Sequence, residues 1–284
     1  MSGFSSVSNM VDQELGGAFQ VSSFRKVPAT ASTAGTWVDL SMTTGNPKPN
    51  YYVGAELEST ILSSQNGIYH GQNVSPGTKI LKEFVIQTPT ATAVGRYYLL
   101  DYVMFYPLID MDVTDPQDLV NSTPLPRYTD GQGVKAMLVA TNPYIGAQTY
   151  TISYTNQAGV SGRTSVAAVS NTGTNIGTLI SGSSAVDNSV GPFIPLQSGD
   201  TGIQSVQSIT FSGSNGGLAA LVLVKPLAST FIREITAPNE RNFLFDLPQM
   251  PIVKDGAYLN MICNPTGSLA SAVITGLATF IWSV

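Results

Sequence analysis

The first ordered spacing along the chain is Val7, Met10, Val11 and Leu15, apolar positions three and four apart, with Ser5, Ser6 and Ser8 around their start and Gly16-Gly17 at their end. Apolar side chains at that interval share one face of an α-helix, serines supply N-caps, and a glycine pair ends the run. The pattern predicts a short helix in an N-terminal arm, residues 1–24, with Val7, Met10, Val11 and Leu15 as contacts to another subunit. Packing of the same face on the chain's own domain is the alternative.

From residue 25 onward the helical period gives way to strand patterns separated by Gly, Pro and Asn. Residues 81–86 (LKEFVI) read as a strand, and 97–106 (YYLLDYVMFY) as a nearly continuous apolar one, as expected when both faces are covered. Residues 148–155 alternate, with Tyr150, Ile152 and Tyr154 on one face and Thr149, Thr151 and Ser153 on the other. That predicts a half-exposed strand, turning through 156–162 and returning at 164–169 as a hairpin. Further strands are predicted at 205–211, 219–224, 231–235, 257–263 and 272–283. Many short strands without a crossover helix predict a mainly β fold, an antiparallel β-sandwich or jelly roll over residues 25–284. Two irregular stretches interrupt it. Residues 107–133, with Pro107, Pro116, Pro124 and Pro126, read as a long loop within one domain rather than a linker between two, and 171–199 as a Ser/Gly/Thr/Asn-rich surface excursion.

Composition adds a constraint on the surface. Only 11% of the 284 residues are charged while 43% are hydrophobic, against about 25% charged in an average soluble domain. A surface of this makeup suits burial against other subunits or, alternatively, the uncharged exterior of a secreted β-protein. A net charge of -5 leaves no basic stripe for phosphates, which argues against nucleic-acid binding. Cys263 is the single cysteine; it cannot form an intrachain disulfide, and beside Met261 and Ile262 it reads as a buried small hydrophobe. Residues 1–17 hold no basic segment followed by an apolar one, so no secretory leader is predicted and folding in a reducing cytoplasm is expected. Residues 268–284 carry no charge, yet fall short of the roughly 20 residues of a membrane helix and are rich in β-branched and aromatic types. They are predicted to form a buried strand, with no membrane partner.

Candidate chemistry is sparse. His70 is the single histidine, so any Ser-His-Asp or Cys-His arrangement would depend on it, and no Gly-x-Ser-x-Gly elbow sits at a strand-turn-helix. A histidine hydrogen-bonded in the glycine-flanked turn 67–71 is the plainer expectation. One histidine and one cysteine cannot supply a zinc site. The densest acidic cluster, 110–118, spaces Asp110, Asp112 and Asp115 so that they could gather around a hard cation, but it lacks the central glycine and distal glutamate of an EF-hand. Capping of turns is the other reading of those carboxylates. Paired acids could also serve a glycosidase, but the neighbouring Tyr102, Phe105 and Tyr106 fit core packing. No cofactor is expected, and no enzyme.

Several longer phrases carry a resemblance: GIYHGQNVSP at 67–76, DYVMFYPLIDMD at 101–112, LPRYTDGQGVKAMLVATNP at 125–143, YTNQAGVSGRT at 154–164, GPFIPLQSGDTG at 191–202, LAALVLVKPL at 218–227 and DGAYLNMI at 255–262. Together they resemble virion structural proteins of tailed bacteriophages over most of the chain after about residue 30. The resemblance implies a particle component made in the host cytoplasm and ending in the virion. Its most specific form is a capsid decoration or cement protein that bridges capsomers, with the major capsid protein or other virion subunits as partners and a homotrimer or other homo-oligomer as its state. The loop at 110–128 is a second expected contact. A tail, baseplate or head-fibre subunit, or a carbohydrate-binding receptor module, are the alternatives.

Overall fold

The computed structural model describes residues 3–63, 66–171, 175–180, 191–246 and 250–283. In chain order its elements are α1 (Val7–Leu15), β1 (Phe19–Lys26), β2 (Val38–Asp39), β3 (Gly45–Asn46), β4 (Thr60–Ile61), β5 (Lys79–Gln87), β6 (Gly95–Asp110), β7 (Gln117–Asp118) and β8 (Lys135–Ala140). There follow β9 (Thr149–Asn156), β10 (Arg163–Thr164), β11 (Ala168–Val169), β12 (Ile203–Phe211), β13 (Leu218–Ile232), β14 (Asn239–Asn242), α2 (Phe243–Asp246), β15 (Leu259–Pro265) and β16 (Ile274–Trp282). Among the described residues the ladders between these strands are antiparallel.

A central sheet runs in the order β2-β15-β6-β13-β8, with β4 added to β6. Two outer sheets, β14-β5-β16-β1-β3 and β10-β9-β12-β7 with β11 on β9, pack side by side on one face of it. The alternation along β6 shows this. Tyr97 and Leu99 meet Phe24, Phe84 and Phe280 of the first outer sheet. Farther along the strand, Met104 and Tyr106 meet Tyr150, Ile152 and Ile209 of the second. A bulge at Val103, where Leu223 and Val224 pair with Met104 and Tyr102, keeps those positions in phase. The opposite face, Leu100, Tyr102, Phe105 and Val222, is covered by Trp37, Tyr52, Leu62 and Leu179 from irregular segments. β6 is therefore buried on both faces, which is why its apolar run is almost unbroken. The fold is mainly β with the antiparallel sandwich packing expected.

Several boundaries differ from those predicted. The division at residue 24 falls inside β1, which is paired along its whole length with β16, so the N-terminal segment enters the sheet rather than standing outside it. The stretches 219–224 and 231–235 belong largely to one strand, β13, which ends at Ile232. Pro226 does not break it, because pairing with β8 ends at Val224 and beyond that point β13 has a free edge and a bulge before Ala228. β8 was not signalled by alternation, since Ala136, Leu138 and Ala140 face one core and Met137 and Val139 another. The hairpin return at 164–169 is two short strands, β10 and β11, on β9.

The stretch 107–133 begins four residues inside β6, contains β7 paired with β12, and connects two strands of the central sheet. The Gln117 side chain closes its base, accepting from Asp110 N at 2.9 Å and donating to Asp110 O at 2.7 Å. Of the excursion predicted at 171–199, residues 172–174 and 181–190 lie outside the described residues. Among the described residues no helix is long and apolar enough to cross a membrane, and the chain's end forms β16 beside β1 and β5.

Candidate functional site

Several ionisable side chains that the fold buries form closed knots. Asp39, fully buried, accepts from Ser41 N (2.8 Å), Ser41 Oγ (2.7 Å), Tyr52 Oη (2.5 Å) and Tyr102 Oη (2.7 Å). Burial raises its pKa above the ordinary carboxylate value, and those four donors pull it back. Asp101 sits where the two cores meet, gripped by Arg127 through Nε (3.0 Å) and Nη2 (2.8 Å). Arg163 and Asp200 form a second pair, which with Tyr154 and Asn156 holds the Asp200 carboxyl down at about 2. Cys263 is buried and its thiol is pushed well above the usual range.

His70 is held from both sides. Nε2 lies 3.0 Å from Ala257 O and Nδ1 3.0 Å from Lys79 Nζ, so Nε2 carries the proton and Nδ1 accepts from the ammonium. Lys79 also donates to Gln72 O (2.6 Å) and lies 3.6 Å from Asp255, whose carboxylate accepts from Val74 N and Ser75 N. With both ring nitrogens engaged, His70 has none free to activate a nucleophile. Burial, and then the Lys79 charge, lower its pKa from 6.5 to about 4. A base depressed in the native state takes up protons first in the unfolded chain, so stability falls as the pH drops from 6.5 towards 4. The loss from this group is about 3 kcal/mol at 1.36 kcal/mol per unit. Denaturant titrations at pH 7 and pH 4.5 should show it, and His70→Gln, which preserves both hydrogen bonds without titrating, should flatten the slope.

The acidic cluster is used locally. Asp110 accepts from Asp112 N (2.9 Å), and Asp112 accepts from Gly216 N (2.8 Å) and from the Ser214 hydroxyl, contacts that lower the Asp112 pKa. Asp115 is exposed and is not brought to them by any of these bonds. Among the described residues no group of three His, Cys, Asp or Glu side chains is arranged for a metal.

A cleft of about 570 Å³ opens where the two cores meet, with Lys225, Pro226 and Leu227 of the central sheet, Tyr128 to one side and Met250, Pro251, Ile252 and Lys254 to the other. Lys225 Nζ donates to Gln132 O (2.7 Å) and stands 5.5 Å over the Tyr128 ring. Sequence reasoning missed this cleft, because its walls come from three separate segments.

The N-terminal residues make the most distinctive surface. Ser6 caps α1 by accepting from Asn9 N at 3.0 Å, and Gly16-Gly17, the latter at φ +84°, ends it. Met10, predicted as a contact to another subunit, is buried within its own chain, on Ile80 and Ile281 of the outer face of the first outer sheet. Glu14 reaches Lys82 at 2.5 and 2.7 Å. These two attachments pin the helix and leave Val7, Val11 and Leu15, one row at i, i+4 and i+8, exposed by 58%, 47% and 82%. On the same sheet face Phe19 and Val21 are also exposed, as is Phe245 of α2.

No protein-family model and no curated protein matches the sequence. Among solved structures, the chain is similar to VP2 of infectious bursal disease virus in its subviral particle, at 11% identity over 93% of this chain and 80% of that one, with a TM-score of 0.18. It is also similar to a structure of the Gt strain of the same virus, at 8% identity over 93% and 80%, with a TM-score of 0.16. Scores of this size do not establish a common fold, and the surface around α1 is read from its own geometry.

Proposed function

We propose that this chain is a non-enzymatic structural subunit of a virion, of the bacteriophage kind its sequence phrases resemble, and most specifically a capsid decoration or cement protein. The observation that carries the reading is the row Val7, Val11 and Leu15, three large apolar side chains held in solvent on a helix that Met10 and the Glu14–Lys82 pair fasten to the sheet. A helix fastened by one edge of its apolar face, with the rest of that face bare, fits a contact completed by a neighbour. The low charge of the chain and the internal saturation of its buried acids and of His70 support the same reading. The mechanism is mass action: contacts made only in the assembled lattice stabilise that state, and many symmetry-related copies act together.

The test is purification of particles on a density gradient from infected cells that supply the chain in trans, as wild type or with Val11→Asp and Leu15→Asp together. The wild-type chain is expected in the particle band. The variant should be depleted at least roughly tenfold, as loss of about 1.4 kcal/mol per contact requires, while the free chains keep the same circular dichroism and melting temperature. A wild-type chain that never enters the particle band would overturn the proposal. The cleft beside Tyr128 favours a second reading, a carbohydrate-binding module. Saturable glycan binding by the free chain, lost on Tyr128→Ala, would support it.

A further inference from the structure

The bond from Trp282 N to Ala18 O (3.1 Å), together with the register Phe19↔Ile281 to Lys26↔Ile274, fixes which backbone groups of β1 face β16. In an antiparallel ladder a residue turns both its N–H and its C=O to the same neighbour, and the next residue turns both the other way. Ala18, Gln20, Ser22 and Phe24 therefore bond to β16, while Phe19, Val21 and Ser23 present theirs to the opposite edge. β3 covers that edge at Arg25 and Lys26 alone. The Asn46 side chain donates to Ser23 O (3.2 Å) and the Gln20 side chain to Val21 O (2.7 Å), and neither supplies an acceptor for the N–H of Phe19, Val21 or Ser23.

The other edge of the same sheet is treated differently. β5 is closed by β14 along residues 83–86 and by the segment 251–253 beyond, through Leu81 N to Pro251 O and Val253 N to Lys79 O, both at 2.9 Å. Exposed edges of soluble proteins are ordinarily defended by Lys, Pro or a bulge. The run Phe19-Gln20-Val21-Ser22-Ser23 has none of these, and it displays Phe19 and Val21, 43% and 48% exposed.

We propose that this edge pairs with the same edge of a second copy of the chain, antiparallel about a two-fold axis at Val21, so that two sheets become one across the dimer. This deepens the structural-subunit reading, on which it rests, by naming one contact and its partner. The segment is compatible with itself: Val21 meets its twin, Phe19 meets Ser23 of the copy, and each of these pairs can exchange both backbone bonds. β3 holds the edge from Arg25 onward, so the paired run is Phe19 to Ser23, which carries no charge and brings no like charges face to face.

Light scattering over a range of concentrations tests this with wild type, Val21→Lys and Val21→Pro. The Val21 N–H faces the open edge, so proline there removes a docking bond and none of the bonds to β16. Wild type is expected as a dimer or an even multiple. Both variants should dissociate at least roughly tenfold more readily with unchanged circular dichroism, and slow hydrogen exchange at the amides of Phe19, Val21 and Ser23 should be lost with the dimer. A wild-type monomer at all concentrations, a trimer, or an oligomer indifferent to both variants overturns the edge pairing. The particle-band result for the α1 variant stands apart from these outcomes, so the subunit reading and the edge pairing can fail separately.

Discussion

Arg127→Leu is expected to destabilise the fold by about 3–5 kcal/mol, because it strands the carboxylate of Asp101 in a site with no solvent access. Arg127 donates twice to Asp101 and also to Leu62 O (3.1 Å) and Tyr102 O (3.0 Å), so it fastens the stretch after residue 124 to the central strand between the two cores. Burial raises the Asp101 pKa, with Arg127 the main opposing influence. Without the guanidinium the acid should take up a proton, and the defect should therefore shrink on acidification. Replacing both residues by leucine removes the stranded charge, and the double variant should be more stable than Arg127→Leu although it lacks more native bonds. Urea unfolding, with the midpoint moving at constant slope, measures both effects. A single variant within about 1 kcal/mol of wild type would mean that the pair does not stay buried in solution.

The second large effect is at Asp39. Asp39→Ala should cost about 3 kcal/mol, since it leaves the Ser41 amide and the hydroxyls around it without their acceptor. Asp39→Asn should cost only about 1 kcal/mol. Its remaining oxygen can serve Ser41 N and Tyr102, and its amide can donate to the hydroxyls of Ser41 and Tyr52 once these rotate to accept. Burial disfavours the charge in any case. Equal, large losses for both variants in the same unfolding assay would show that the ionised form is what the site requires.

The cost at both sites follows from distance along the chain. Tyr102 reaches Asp39 across 63 residues, Arg127 reaches Asp101 across 26, and His70 reaches Ala257 across 187. The partner of a buried charge is chosen by sheet register, and no local spacing carries it. Asp101 reads in the sequence as one polar residue within an apolar strand, and the acids at 110–118 read as the densest acidic cluster because they are adjacent in sequence. In the fold Asp110 and Asp112 hold turns, and the buried acid–base pairs lie elsewhere.

What the sequence by itself determined is whatever depends on a short period. The three-and-four spacing with Ser6 and Gly16-Gly17 marks α1, the alternation of Tyr150, Ile152 and Tyr154 marks β9, and the unbroken run through Tyr106 marks a strand with both faces covered. These signals survive because side-chain direction follows from the backbone within a few residues. Only the tertiary structure decided that two outer sheets share one face of β6 and β13, that β1 belongs to the first of them, and that Met10 is covered while Val7, Val11 and Leu15 are not. The physical reason is that burial of a periodic face depends on what is packed against it. The same row of apolar residues fits a core or an interface until Ile80 and Ile281 occupy one side of it and leave the other open.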